Sequence, residues 1–287
     1  MDRQILESEA FRSIRSRLTG LHLQITTEKP YFAVCNAACH RGLSIDLPEL
    51  WLQPVLPYLT HLTLYSYTCM WGLYPFVDFR EIGTFPCLKS LSLGNWTIAH
   101  DWQIDWILSH GSTLKELLLD DCSIIPALRM AKNKEDNMAS LNFPDLEPEG
   151  PDVWGDFFMV VNLRWHQVLD RFRNNLLYLE HFALRCTDGS RPNGCWSDDD
   201  FDYRYTLTNS LRAARYHFYD SNCLLYGFGY VPQWVDPGPG KKAHEFHRGN
   251  HHPKPSVEVE FPDCDKEDAE ALGRLMEAVN KREFTRV

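Results

Sequence analysis

Leu114-Lys115-Glu116-Leu117-Leu118-Leu119-Asp120-Asp121-Cys122-Ser123-Ile124 decides how the rest of the chain is read. Its pattern is Leu-x-x-Leu-x-Leu-x-x-Cys-x-Ile. Alternation at Leu117 and Leu119 specifies a short strand with both leucines on one side. Glu116, Leu118 and Asp120 then face the other way. A single strand of this kind cannot bury its leucines alone, so the pattern has to recur.

It does recur. Leu18/Leu21/Leu23, Leu59/Leu62/Leu64, Leu88/Leu91/Leu93 and Leu179/Phe182/Leu184 repeat the Leu-x-x-Leu-x-Leu core, the last with Phe substituted. The copy at Leu88 runs on through Trp96 to Ile98. These stretches fit the leucine-rich-repeat template, fully at Leu114 and without the Asn/Cys position at Leu88. Successive copies start 41, 29, 26 and 65 residues apart, so insertions interrupt the array. The fold expected is α/β: an irregular leucine-rich-repeat solenoid with parallel strands on the concave side, helices and loops on the convex side, and a C-terminal helical cap. Three regions follow: a helical lead-in over 1–17, the repeats over 18–186 with an insertion near 131–151, and a C-terminal extension over 187–287.

The connections agree with a strand–helix–strand order. Asp101 is placed to cap a helix carrying Ile104, Ile107 and Leu108, which stops at Gly111. Trp154, Phe157, Phe158, Val161, Trp165, Val168, Leu169, Phe172 and Leu176 recur at helical spacing and predict one long helix starting near Pro151 and Asp152. Segments 131–151, 187–202 and 231–255 read as polar or proline-rich surface loops. Val257, Val259 and Phe261 alternate as an edge strand. Asp265 and Asp268 resemble a capping box before a terminal helix carrying Ala269, Leu272, Met276 and Val279.

Composition narrows the function classes. Asp and Glu number 39 against 29 Lys and Arg, a net charge of −10. A chain without a basic block lacks the cations that neutralise phosphates, so no nucleic-acid partner is expected. Arg12, Arg15 and Arg17 read as one solvated helix face. No apolar run is long enough for a signal peptide or a membrane span, so no membrane partner is expected either. Nine cysteines then read as reduced thiols in the cytoplasm or nucleus.

No motif specifies catalysis, and the chain reads as a non-enzyme without cofactor or metal. Gly240-Lys241-Lys242 lacks the earlier glycine and the Ser/Thr of a phosphate loop. Cys35-Asn36-Ala37-Ala38-Cys39-His40 lacks a second pair of zinc ligands. His244, His247, His251 and His252 read as surface histidines, and Ser197 to Asp202 as a solvated acidic loop. The candidate partner-binding surface is the face turned away from the leucines: His22, Gln24, His61, Thr63, Tyr65, Ser90, Ser92, Glu116, Leu118, Asp120, His181 and Arg185.

The runs Leu56 to Ser66, Phe85 to Asn95 and Leu114 to Cys122, with the link Asp101 to Gly111 and the terminal helix, resemble the repeat region of fungal F-box/leucine-rich-repeat proteins. Leu47-Pro48-Glu49-Leu50 has the look of an F-box start. The resemblance implies a substrate receptor of a ubiquitin ligase, holding an unidentified protein target with its repeats. Contact with the ligase adaptor is implied only where an F-box precedes the 17 residues ahead of the first repeat. A free-standing repeat scaffold is the alternative.

Overall fold

The computed structural model describes residues 3–25, 43–66, 70–73, 76–130, 157–185, 211, 215–225, 229–235, 238–241 and 260–284. In chain order these form α1 (Arg3–Leu6), α2 (Glu9–Arg15), β1 (Gly20–Ile25), β2 (His61–Ser66), β3 (Ser90–Gly94), β4 (Thr97–Ile98), α3 (Asp101–Leu108), β5 (Glu116–Asp120), β6 (Ser123–Met130), β7 (Phe157–Val160), α4 (Trp165–Asn175), β8 (His181–Arg185), β9 (Tyr216–Leu225), β10 (Gly229–Val235) and α5 (Asp265–Phe284). The fold is mixed α/β, with parallel strands in two sheets and no closed barrel.

The first sheet has the order β1-β2-β3-β5-β8, all parallel. Its register aligns the repeated leucines. Leu21, Leu62, Leu91, Leu117 and Phe182 form one rung line, and Leu23, Leu64, Leu93, Leu119 and Leu184 the next. A one-residue slip would turn every leucine to the wrong side, so burial itself fixes this register. The preceding leucines Leu59, Leu88, Leu114 and Leu179 are fully buried in the same core.

After β3 and β5 the chain turns through a left-handed residue, Asn95 (φ 54°) and Asp121 (φ 52°). Asn and Asp tolerate this conformation better than other side chains bearing a β-carbon. Each turn feeds a second sheet of order β10-β9-β6-β4, with β7 antiparallel beside β6. Here β4, β6 and β9 are parallel, and β9 and β10 are antiparallel. Trp71 bridges to Trp96, and Thr97 pairs with Ser123, so Cys122 succeeds the two tryptophans at the template's polar position. Two of these three tie neighbouring rungs. The Trp71 indole donates to the Gly94 carbonyl at 2.7 Å, and the Cys122 thiol donates to the Leu93 carbonyl at 3.3 Å.

Helices pack behind the strands. In α3, Ile104, Trp106 and Ile107 are buried, and Trp106 stacks on Phe79 at 4.2 Å. Its N-cap is His100 rather than Asp101, with Gln103 accepting the His100 and Ala99 amides. The predicted long helix from Trp154 is shorter than its pattern. Phe157–Val160 is strand β7, and the helix begins only at Trp165. Five consecutive apolar residues from Phe157 to Val161 satisfy a strand as well as a helix, and pairing with β6 takes them.

The loop predicted over 231–255 starts instead as strand, since β10 runs to Val235. Arg15 is buried rather than solvated, and its guanidinium donates to the Leu6 and Leu50 carbonyls. Helix α5 buries Asp268, Ala271, Leu272, Leu275 and Val279, while Ala269 is exposed. It packs on α4 and β8, where Arg282 donates to the Leu176 and Arg173 carbonyls and satisfies the end of α4. Phe261 packs edge-on against Phe218; Val257 and Val259 lie outside the described residues.

Candidate functional site

The twelve candidate residues fall on one face of the first sheet, in three levels of access. His22, Gln24 and His61 are exposed, at the β1–β2 end. Glu116 and His181 are half-buried. Thr63, Tyr65, Ser90, Ser92, Leu118 and Asp120 are buried, all at 6% exposure or less. Arg185 pairs with Asp120 through the backbone, and its side chain lies outside the described residues. Strand β3 is buried at every position. Parallel strands are commonly covered on both faces, and alternation in the sequence reports which side a residue faces, not whether that side is open.

Polar groups on this face bond across the strands. His22 Nδ1 lies 2.8 Å from Thr63 Oγ1. Ser90 Oγ donates to Glu116 Oε1 at 2.5 Å, and His181 Nδ1 meets Glu116 Oε2 at 2.9 Å. Serine, glutamate and histidine are thus together, but in an order that does not activate a nucleophile. A catalytic serine gives its proton to the imidazole, whose far side the carboxylate orients. Here the carboxylate stands between the two and takes the serine hydrogen bond itself. The row fixes side chains rather than preparing Ser90 for attack.

A second constellation sits where α4, β9 and α5 converge, around Asp268, whose side chain has no exposure. Arg215 Nε and the Tyr216 hydroxyl donate to its Oδ2 at 2.8 and 2.9 Å. The His166 backbone amide and Nδ1 lie 2.8 and 3.0 Å from its Oδ1. The Cys264 thiol reaches Oδ2 at 3.4 Å and lies 3.3 Å from the Tyr216 hydroxyl. Arg215 also donates to exposed Asp265, and its carbonyl accepts from the Trp165 indole and the Ile124 amide. A buried carboxylate is stable only when its lone pairs are met in this way.

The capping-box reading of Asp268 therefore missed its main partners. Those partners are 102, 53 and 52 residues away, beyond any local pattern. The one local signal was the i,i+4 pair Cys264 and Asp268 at the start of a helix. Burial pushes the Cys264 thiol up, the Asp268 charge adds to this, and the Tyr216 hydrogen bond works against it. A thiol held protonated is a poor nucleophile. His166 Nδ1, Cys264 Sγ and an Asp268 oxygen nonetheless lie within 4.8 Å of one another, the one such group able to hold a metal among the described residues.

Cys35, Cys39, His40, Ser197 to Asp202 and the histidines from His244 to His252 lie outside the described residues, as do the loops 131–150 and 187–202. Gly240 takes a positive φ of 66°, and Lys241 closes a turn by donating its amide to the Gly238 carbonyl, while its own carbonyl accepts the Phe261 amide. Among the described residues no helix is long and apolar enough to cross a membrane. Set against protein-family models, curated proteins and solved structures, the chain matches none of them.

Proposed function

We propose that this chain is a protein-binding module, an irregular leucine-rich-repeat solenoid that presents its first strands to a partner. The observation that carries the reading is the rung alignment: template leucines from five separate segments share two lines across one parallel sheet. Stacked repeats generate extended surfaces that suit partner binding. Access narrows the contact to His22, Gln24 and His61, with Glu116 and His181 at its margin. The target is a protein, and the compartment that fits reduced thiols is cytoplasmic or nuclear.

Within this reading two roles differ. Resemblance favours the substrate-recognition part of an F-box-type ubiquitin ligase adaptor. One placement favours a free-standing scaffold: Leu47-Pro48-Glu49-Leu50 forms part of a π-helical turn between β1 and β2, with Leu47, Pro48 and Leu50 buried. An F-box-like surface there is occupied by the chain's own packing.

Proximity labelling with the wild-type chain and with the triple variant H22E/Q24K/H61E tests the binding reading. The expected result is a defined set of labelled proteins lost in the variant at unchanged thermal stability. An identical set from both would sink the proposal. Co-purification of the ligase adaptor separates the two roles.

A further inference from the structure

We propose that His166, Cys264 and Asp268 form a binding site for a zinc-class divalent cation, which staples α5 to α4. The donor set is one imidazole nitrogen, one sulfur and one carboxylate oxygen, the mixture that Zn²⁺ takes. The donors come from two helices. His166 is on the first turn of α4, and Cys264 and Asp268 stand one turn apart at the start of α5.

The three donor atoms lie within 4.8 Å of one another, close enough for small side-chain shifts to bring them onto one ion. Zinc bonds of about 2.0 to 2.3 Å at tetrahedral angles put ligand atoms roughly 3.2 to 3.7 Å apart. His166 Nδ1 lies 3.0 Å from Asp268 Oδ1, and Cys264 Sγ lies 3.4 Å from Asp268 Oδ2. What now occupies the space between them is protons. The carboxylate only accepts, so the thiol and the imidazole each point a hydrogen at it.

Supporting groups around the ligands are already in place. Arg215 and Tyr216 hold Asp268 Oδ2, and the His166 amide holds Oδ1, as partners behind metal ligands commonly do. His166 keeps 29% of its side chain exposed and Cys264 is half-buried, so an ion has a way in and a water can complete the coordination.

Charge decides whether a cation is tolerated beside Arg215. Among the described residues the guanidinium is outnumbered by Asp265 and Asp268, which both pair with it, leaving one formal negative charge. On binding, the Cys264 thiol loses its proton to solvent. His166 moves its ring proton from Nδ1 to Nε2, freeing the Nδ1 lone pair. The dication, the new thiolate and the existing negative charge then sum to zero. Two helix N-termini also point here and oppose a cation, yet the Asp268 carboxylate already answers the α4 amide.

Co²⁺ serves as the probe, added to the full chain in a C35S/C39S background that silences the most closely spaced cysteines in the sequence. The expected result is a thiolate-to-cobalt absorption band with one proton released per ion, displaced by Zn²⁺. C264S should lose the band and bind at least tenfold more weakly, with H166Q weakened similarly and C87S, at an exposed thiol, unchanged. Zn²⁺ should raise the thermal midpoint of the background chain and not that of C264S. H166Q keeps the Asp268–Arg215 pair and decides the matter where C264S is itself unstable. A band that survives in C264S, an H166Q affinity equal to that of the background chain, or a background chain with no such band would overturn the site.

Discussion

The ring of Tyr65 in β2 lies directly over Gly94 of β3, its partner in the ladder. A side chain at 94 would place its β-carbon 1.8 Å from Tyr65 Cδ2 and 3.0 Å from Cγ. The clash falls at the root of the ring, and Tyr65 is buried, so small rotations do not relieve it. Gly94→Ala is expected to cost about 1 to 3 kcal/mol by overpacking. The same change in a Tyr65→Ala background should cost much less, and a urea double-mutant cycle measures the difference. Equal costs in both backgrounds would separate the two residues.

His110 joins α3 to the loop before β3. Its Nε2 accepts the Phe85 amide at 3.0 Å, and its ring packs against Phe85 and Trp106. Accepting requires a neutral imidazole, and burial lowers its pKa to about 4. The unfolded chain protonates this residue near 6.5. Between those values the unfolded state holds more protons, so stability falls as pH drops from about 6.5 to about 4. The full difference is on the order of 3 kcal/mol. His110→Gln, which keeps an acceptor for Phe85, should flatten that slope in urea titrations at pH 7, 5.5 and 4. A parallel slope in the variant would assign the acid sensitivity elsewhere.

Among the described residues, Arg215 pairs with two carboxylates of unlike burial. Asp268 is fully buried, whereas Asp265 is 62% exposed. Asp268→Asn removes the charge that offsets a buried guanidinium and should cost about 3 to 5 kcal/mol. Asp265→Asn should cost under about 1 kcal/mol, as exposed pairs do. Thermal unfolding without added metal checks the ranking, and the reverse order would refute the central role of Asp268.

Position along the first sheet sets the value of each leucine. Leu117→Ala, fully buried in the interior strand β5, should cost about 2 to 5 kcal/mol. Leu23→Ala, partly buried in edge strand β1, should cost clearly less. Denaturant midpoints of the two variants give the comparison; similar losses would mean that β1 is as enclosed as β5.

The first sheet was legible because each Leu-x-Leu carries its own strand period and all copies share it. The second sheet was not. Tyr216 to Leu225 and Gly229 to Val235 mix polar and aromatic residues, and their pairing depends on β6 nearly a hundred residues earlier. Phe157 to Val161 fits two periods, so only the pairing partner could choose between them. On the candidate face, the direction of Thr63, Ser92 and Leu118 was readable, but their enclosure depends on other parts of the chain. Asp268 was visible as a helix-start residue, while the groups that define it come from α4 and β9.

The Asp268 junction also ties together distant parts of the chain as it folds. His166, Arg215 and Tyr216 leave the ribosome before the carboxylate that satisfies them, the last pair by more than fifty residues. Without Asp268, Arg215 loses its fully buried counter-charge, and enclosing it would be costly. The ladders that join β1, β2, β3 and β5 include no residue of α5. Docking of α5 and enclosure of Arg215 at the start of β9 are thus coupled, since each leaves a buried charge uncompensated without the other.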